Sequence, residues 1–225
     1  MGACGERVAP VASVAEGWFT HIAWAIDLTM RGPCVRPSAR RRDYEFRLVN
    51  LAEKLRGEGA VTAHALAVEM VVPIMGAPAY DLALLVHTPT PSADALVART
   101  AALGLPAPEL TLSGRNGGRF GDTEEQSGAI LLNHFAGTTT PDRAVEAWKA
   151  VSTWYERTLR VDNSTLLQFD ADSPFLMMNY AVLPGRVVPF LAGQVLRPTF
   201  HSVVRRQLRA ANLSPFPLFA RRLGP

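Results

Sequence analysis

Between residues 18 and 28 apolar side chains alternate in a two-residue period. Trp18, Ile22, Trp24, Ile26 and Leu28 share one face, while Phe19, His21, Ala23, Ala25 and Asp27 share the other, which predicts a strand with one heavily apolar side. After a Pro/Arg-rich stretch, Tyr44, Leu48, Leu51, Ala52 and Leu55 recur at helical spacing until Gly57 and Gly59 stop the run. Strands are predicted over 61–72 and 80–88, with Gly76 and Pro78 in the turn between them. Ser92 stands where it would cap a helix running to about Leu103, Pro106 and Pro108 end that helix, and 109–112 form a last short strand.

A glycine-rich stretch, 113–127, reads as a linker, and beyond it the elements come again in the same order. A strand over 129–136 is followed by Thr140-Pro141, an N-cap with proline in the first helical position, and by Ala144, Trp148, Val151, Tyr155 and Leu159 on one helix face. Strands near 164–169 and 175–182 precede a long helix over 186–210, which Pro198 should kink or split, and a short strand over 217–221. Both halves therefore read β-α-β-β-α-β. Thr20-His21-Ile22-Ala23 aligns with Asn133-His134-Phe135-Ala136, and 80–89 can be laid on 175–184, as expected of an internal repeat. The fold class that follows is α+β, with two fused ferredoxin-like repeats. The expected division is a flexible N-terminus over 1–15, a first repeat over 16–112, the linker over 113–127 and a second repeat over 128–225.

Composition narrows the function classes. The chain has 225 residues, 48% hydrophobic and 19% charged, enough to bury a core. Its net charge of +3 is too weak a field to imply nucleic acid. The arginine runs at 40–42 and 205–209 lack the strand-borne aromatic pattern of an RNA-binding sheet. Only Lys54 and Lys149 are lysines, the other basic residues being arginine, which points to a GC-rich coding sequence. Cys4 and Cys34 lie in irregular segments without a second ligand pair, so both are expected to be reduced, unbridged thiols. Residues 1–15 lack a secretory pattern, and the longest apolar stretch, 17–30, is short for a bilayer span and carries His21 and Asp27. A cytoplasmic protein without a membrane partner is the expectation. Gly114 to Gly121 lacks the Gly-Lys-Ser/Thr of a phosphate-binding loop.

The stretch 130–182, with Asn133-His134-Phe135, the Trp148-bearing helix and the residues from Leu176 to Tyr180, resembles the antibiotic-biosynthesis-monooxygenase type of the dimeric α/β-barrel superfamily. The resemblance implies that the two halves form an α/β-barrel-like pair within one chain, helices outside, around a cavity between two four-stranded antiparallel sheets. It also implies a small-molecule enzyme: a cofactor-independent monooxygenase, or a related proton-transfer enzyme such as a cyclase or isomerase, acting on an aromatic or polyketide-like substrate. The superfamily's heme-binding branch suggests His201, with Arg197, Arg205 and Arg206 nearby, as an iron ligand if heme is the cofactor.

The small or polar neighbours of His21 on its strand face suggest that this face turns to the cavity and the Ile22 face to the helices. The repeat then puts His134 in an equivalent place. Histidine titrates near neutral pH, so His21 or His134 could serve as base, with Asn133, Asn179 and Tyr180 orienting the substrate or holding an oxyanion. The other reading of both histidines is a hydrogen-bonded core residue. His64 and His87, each alone on a strand, read as structural. The histidines and carboxylates show no metal-ligand spacing. A non-catalytic ligand-binding protein, or an assembly protein whose sheet pairs with another copy as a homo-oligomer, stands beside the enzyme reading.

Overall fold

The structure is a computed structural model, and it describes residues 14–124 and 126–224. The strands are β1 (Trp18–Trp24), β2 (Met30–Arg31), β3 (Cys34–Val35), β4 (Thr62–Val71), β5 (Leu82–Thr88), β6 (Leu110–Phe120), β7 (Ala129–Gly137), β8 (Ser164–Phe169), β9 (Met177–Val182) and β10 (Leu213–Arg222). The helices are α1 (Ala39–Gly57), α2 (Ala93–Ala102), α3 (Pro141–Leu159), α4 (Val187–Val195) and α5 (Arg205–Ala210), with a π turn over Phe200–Val204 before α5. Cys34 is a free, exposed thiol. Cys4 and most of the expected flexible N-terminus lie outside the described residues.

All the strands pair antiparallel in the order β10-β7-β9-β8-β6-β1-β5-β4, and β10 also pairs with β4, so eight strands close into a barrel. The expected pair of separate four-stranded sheets is thus one continuous closed sheet. Two seams make it so: β6 with β8, and β10 with β4. The short β2–β3 hairpin, which carries too few residues to show a period, extends the sheet beyond β4.

The glycine-rich segment is not a linker up to Phe120. It is most of β6, and its glycines allow close approach rather than flexibility. A Cβ on Gly114 would stand 1.9 Å from the Gln168 carbonyl oxygen across the β6–β8 seam, and one on Gly118 would stand 2.6 Å from Cζ3 of Trp148. Gly114 has no left-handed backbone to protect, so Gly114→Ala would favour the strand locally and still separate the two strands. The expected result is a loss of about 2–3 kcal/mol in urea unfolding; an unchanged midpoint would mean that the seam can widen freely.

Alternation on β1 separates two cores. Ile22, Trp24 and Ile26 pack outside the barrel against Leu48, Leu51 and Leu55 of α1 and Leu96 of α2. Phe19 and Ala23 turn inward, where they meet Leu66, Leu85, Leu132, Met178 and Leu218 from strands around the barrel. An eight-stranded barrel has an interior just wide enough for side chains to fill, and this one is filled by them. β1 ends earlier than its pattern suggests because the Asp81 carboxylate accepts the backbone N–H groups of Ile26 (2.8 Å) and Asp27 (3.0 Å), turning the chain out of the sheet.

In the second half Thr140 caps α3 through its side chain, with Pro141 in the first turn. The predicted helix over 186–210 is broken around Pro198 into α4, the π turn and α5. These elements cover the outer face of β7, β9 and β10 without closing down on it everywhere.

Candidate active site between sheet and helices

His21 and His134 do turn to the barrel interior, with ring centroids 5.5 Å apart. Both are 0% exposed. The Nε2 atom of His21 lies 3.2 Å from the Tyr80 hydroxyl. Neither ring nitrogen of His134 has a hydrogen-bonding partner, and Phe175 packs 5.0 Å from its ring. Burial drives the His21 imidazole down to about 3. Burial, and then the neighbouring His21, hold His134 well below the ordinary histidine range; a backbone contact with Phe216 pulls the other way without reaching hydrogen-bond geometry. Both rings are therefore neutral core groups at physiological pH.

The other strand histidines are engaged as well. His87 stacks on Phe19 at 4.1 Å and donates to the Glu16 carbonyl. His64 pairs with Glu124. Tyr180 points inward and belongs to the same polar end of the barrel: Arg222 donates to its hydroxyl at 2.6 Å and to the carbonyls of Thr123 and Glu124. Burial first, then the charge of Glu124, push the Tyr180 phenol upward. Arg222 thereby ties the segment after β6 to the closing strand.

Asn133 and Asn179 face the opposite way. Each adjoins an inward residue in sequence, so strand alternation sends both to the helix side, where they are direct cross-strand partners. The Trp148 indole N–H donates to Asn179 Oδ1 at 2.8 Å, and the Ser164 hydroxyl donates to the same oxygen. Asn133 Oδ1 is buried and has no partner. The two amides lie at the floor of a space between sheet and helices. Its wide part, about 510 Å³, is walled by Leu131, Phe135, Tyr155, Phe190 and Phe200, with Asn133 at the base. A narrow recess of about 40 Å³ shares all of those walls but Phe200 and reaches Asn179, Trp148 and Ser164. Gln194, which accepts from the Tyr155 hydroxyl at 2.9 Å, joins His201, Arg205 and Arg209 along the wide part.

Of the residues anticipated from sequence, Asn133 and Asn179 meet in this space, His21, His134 and Tyr180 lie on the other side of the sheet, and His201 stands at the edge of the space. Trp148, Ser164, Arg205 and Arg209 complete it. Alternation alone separates Asn133 from His134 and Asn179 from Tyr180, and that was the available signal. The arrangement offers amide N–H donors in an apolar setting, with Asn179 held in place by the indole and hydroxyl, suited to an enolate or phenolate oxygen.

Heme on His201 does not fit the geometry. His201 is exposed, its Nε2 donates to the Val195 carbonyl at 2.9 Å, and its Nδ1 faces Arg205 at 3.5 Å. Both nitrogens are thus turned to the protein, Nε2 as donor and Nδ1 with its lone pair towards Arg205, so neither is presented to iron in this arrangement. Among the described residues no three His, Cys, Asp or Glu side chains gather as a metal site, and no helix is long and apolar enough to cross a membrane.

No family model and no curated protein matches the chain. Solved structures do. A candidate monooxygenase from Lactobacillus acidophilus NCFM superposes with a TM-score of 0.57 at 10% identity, covering 93% of this chain and 95% of that one. An anthrone oxidase-like protein gives 0.52 at 11% identity, over 94% and 95% of the two chains. A heme-binding protein from Thermus thermophilus gives 0.50 at 16% identity, over 93% and 92%. At these identities the likeness is one of fold, and the chain shares the α+β barrel architecture of these structures.

Proposed function

We propose that this protein is a small-molecule oxygenase that binds a flat aromatic, polyketide-like substrate between the sheet and helices of its second half and oxidises it with dioxygen, without a cofactor. The observation that carries this reading is the partnerless buried amide oxygen of Asn133 at the base of an apolar space, beside the Trp148–Asn179–Ser164 hydrogen bonds. Only the oxygen of this part-buried amide is enclosed, so the N–H groups of Asn133 stay open to a ligand oxygen. Likeness in fold to an anthrone oxidase-like protein supports the substrate class.

In an anthrone-type substrate the ring methylene is acidic because its anion is delocalised as an enolate. Asn133 holds the enolate oxygen, the indole and hydroxyl hold Asn179, and the proton passes to water at the opening. The electron-rich carbon then reduces dioxygen by one electron, and the two radicals combine to a peroxide. Loss of water leaves a carbonyl. The balance is CH₂ + O₂ → C=O + H₂O, with the substrate supplying all the electrons. The chain's own role is to bind, orient and stabilise one negative oxygen.

The same proposal takes the barrel as two fused ferredoxin-like units, the first from 16 and extended past 112 to the end of β6 at Phe120, the second over 128–225. The strand orders β6-β1-β5-β4 and β10-β7-β9-β8, with the last strand of each half beside its first, support it.

Anthrone supplied under ¹⁸O₂ tests the reading. The expected result is anthraquinone carrying one labelled oxygen, formed faster than in buffer and undiminished by chelator or by the absence of flavin. A rate equal to the buffer background would overturn it.

A further inference from the structure

We infer that the ligand of this space is an aromatic acid, whose anionic group pairs with Arg205 and Arg209; the inference rests on the binding space proposed above and specifies its occupant. From residue 173 to the end of the chain there is no Asp or Glu, while Arg186, Arg197, Arg205, Arg206, Arg209, Arg221 and Arg222 all fall in that stretch. Several of these are engaged. Arg221 pairs with Glu45 and Glu69, Arg222 binds Tyr180 and two carbonyls, and Arg197 donates to the Gly193 carbonyl.

Arg205 and Arg209 differ. Among the described residues the Arg205 guanidinium meets no polar partner but His201, and the Arg209 guanidinium meets none. Both line the wide part of the space, and none of its lining residues is acidic. They stand four residues apart on α5, so their side chains lie on one face roughly 6 Å apart at their bases, where like charges repel. The α-helix alone would gain from separating them. An anion between them relieves the repulsion, and guanidinium groups bind carboxylates through paired N–H donors.

The remaining walls are aromatic and aliphatic, and the amides lie at the floor. Such a site takes an elongated flat ligand with its acid end at α5 and its reacting carbon near Asn133. Both arginines are exposed, so they form the open, charged end of the space, where an acid group can meet them without being stripped of water.

Fluorescence titration with anthracene-2-carboxylate and 2-(hydroxymethyl)anthracene tests this directly. The wild type is expected to bind the acid about 10–100-fold more tightly than the alcohol, with the preference shrinking as salt is raised. In Arg205→Gln/Arg209→Gln the preference should vanish through loss of acid binding, the alcohol being held as before. Arg206→Gln, whose side chain does not line the space, should keep the wild-type preference. Equal binding of the two probes by the wild type would overturn the acid inference and leave the binding space standing. A double variant that loses both probes equally would overturn it too. If neither probe binds, the space is not a ligand site and both readings fall.

Discussion

Asn133→Ala is expected to lower turnover of an anthrone by about 10²–10³-fold, the usual effect of removing one donor from a developing oxyanion. The fall should lie in kcat more than in KM, because the enolate forms only after the substrate is bound. Stability should hardly change. The substitution removes packing atoms, yet it also removes a buried carbonyl oxygen that has no partner, and the two effects oppose one another. Asn133→Asp sharpens the test. A carboxylate is nearly the same shape but repels an enolate, so a donor role predicts a deeper loss than alanine causes. An Asp variant more active than Ala would instead make position 133 a proton acceptor and refute the donor assignment.

Acid should destabilise the protein through its core. His21 titrates near 6.5 when unfolded and at about 3 when folded. Above pH 6.5 neither state binds the proton, so stability is fully present. As pH falls below 6.5 the unfolded chain takes up a proton that the folded one refuses, and stability declines until the folded value is reached. At 1.36 kcal/mol per unit, that one residue accounts for about 5 kcal/mol between pH 6.5 and 3. His134, held down in the same direction, brings the combined slope towards about 3 kcal/mol per pH unit. Urea midpoints from pH 7.5 to 4.5 measure this. His21→Phe/His134→Phe should flatten the curve and be the more stable protein at pH 5. Parallel curves for the wild type and the double variant would show that carboxylates, not these rings, govern acid unfolding.

The local grammar of the chain was readable where one residue type settles one torsion or one face. Thr140-Pro141 marks the start of α3, Pro198 breaks the last long helix, and the Ile22 and His21 faces of β1 lead to different cores. The barrel-like pairing came from the resemblance, but the seams that close it were not readable in the pattern, because pairing of β10 with β4 joins residues more than 140 positions apart and leaves no periodic trace. The glycines of β6 misled for a related reason. Gly114 and Gly118 read as flexible when considered alone, and become strand residues only once Gln168 and Trp148 approach them from other elements. The site was half legible. Asn133 and Asn179 were identified by type, but grouping them with His134 and Tyr180 ignored the one-residue offset that sends neighbours through opposite faces of the sheet.

The π turn at Phe200–Val204 acts as a phase shifter between two pieces of helix. Downstream, α5 is locked: Leu208 and Leu213 are buried in the same cluster, and the chain leaves through Asn212 at φ 53. Upstream, α4 anchors through Phe190 in a different cluster. A wide turn carries one residue more than an α turn, so deleting Ser202 would restore ordinary winding, keep the residues on either side of the turn nearly in phase and re-aim the side chains inside it. With α5 held by Leu208 and by the start of β10 at Leu213, the change would fall on Phe200 and His201. Single-residue insertions and deletions in this turn therefore offer a route by which related chains could reshape the opening of the ligand space while the barrel beneath stays as it is.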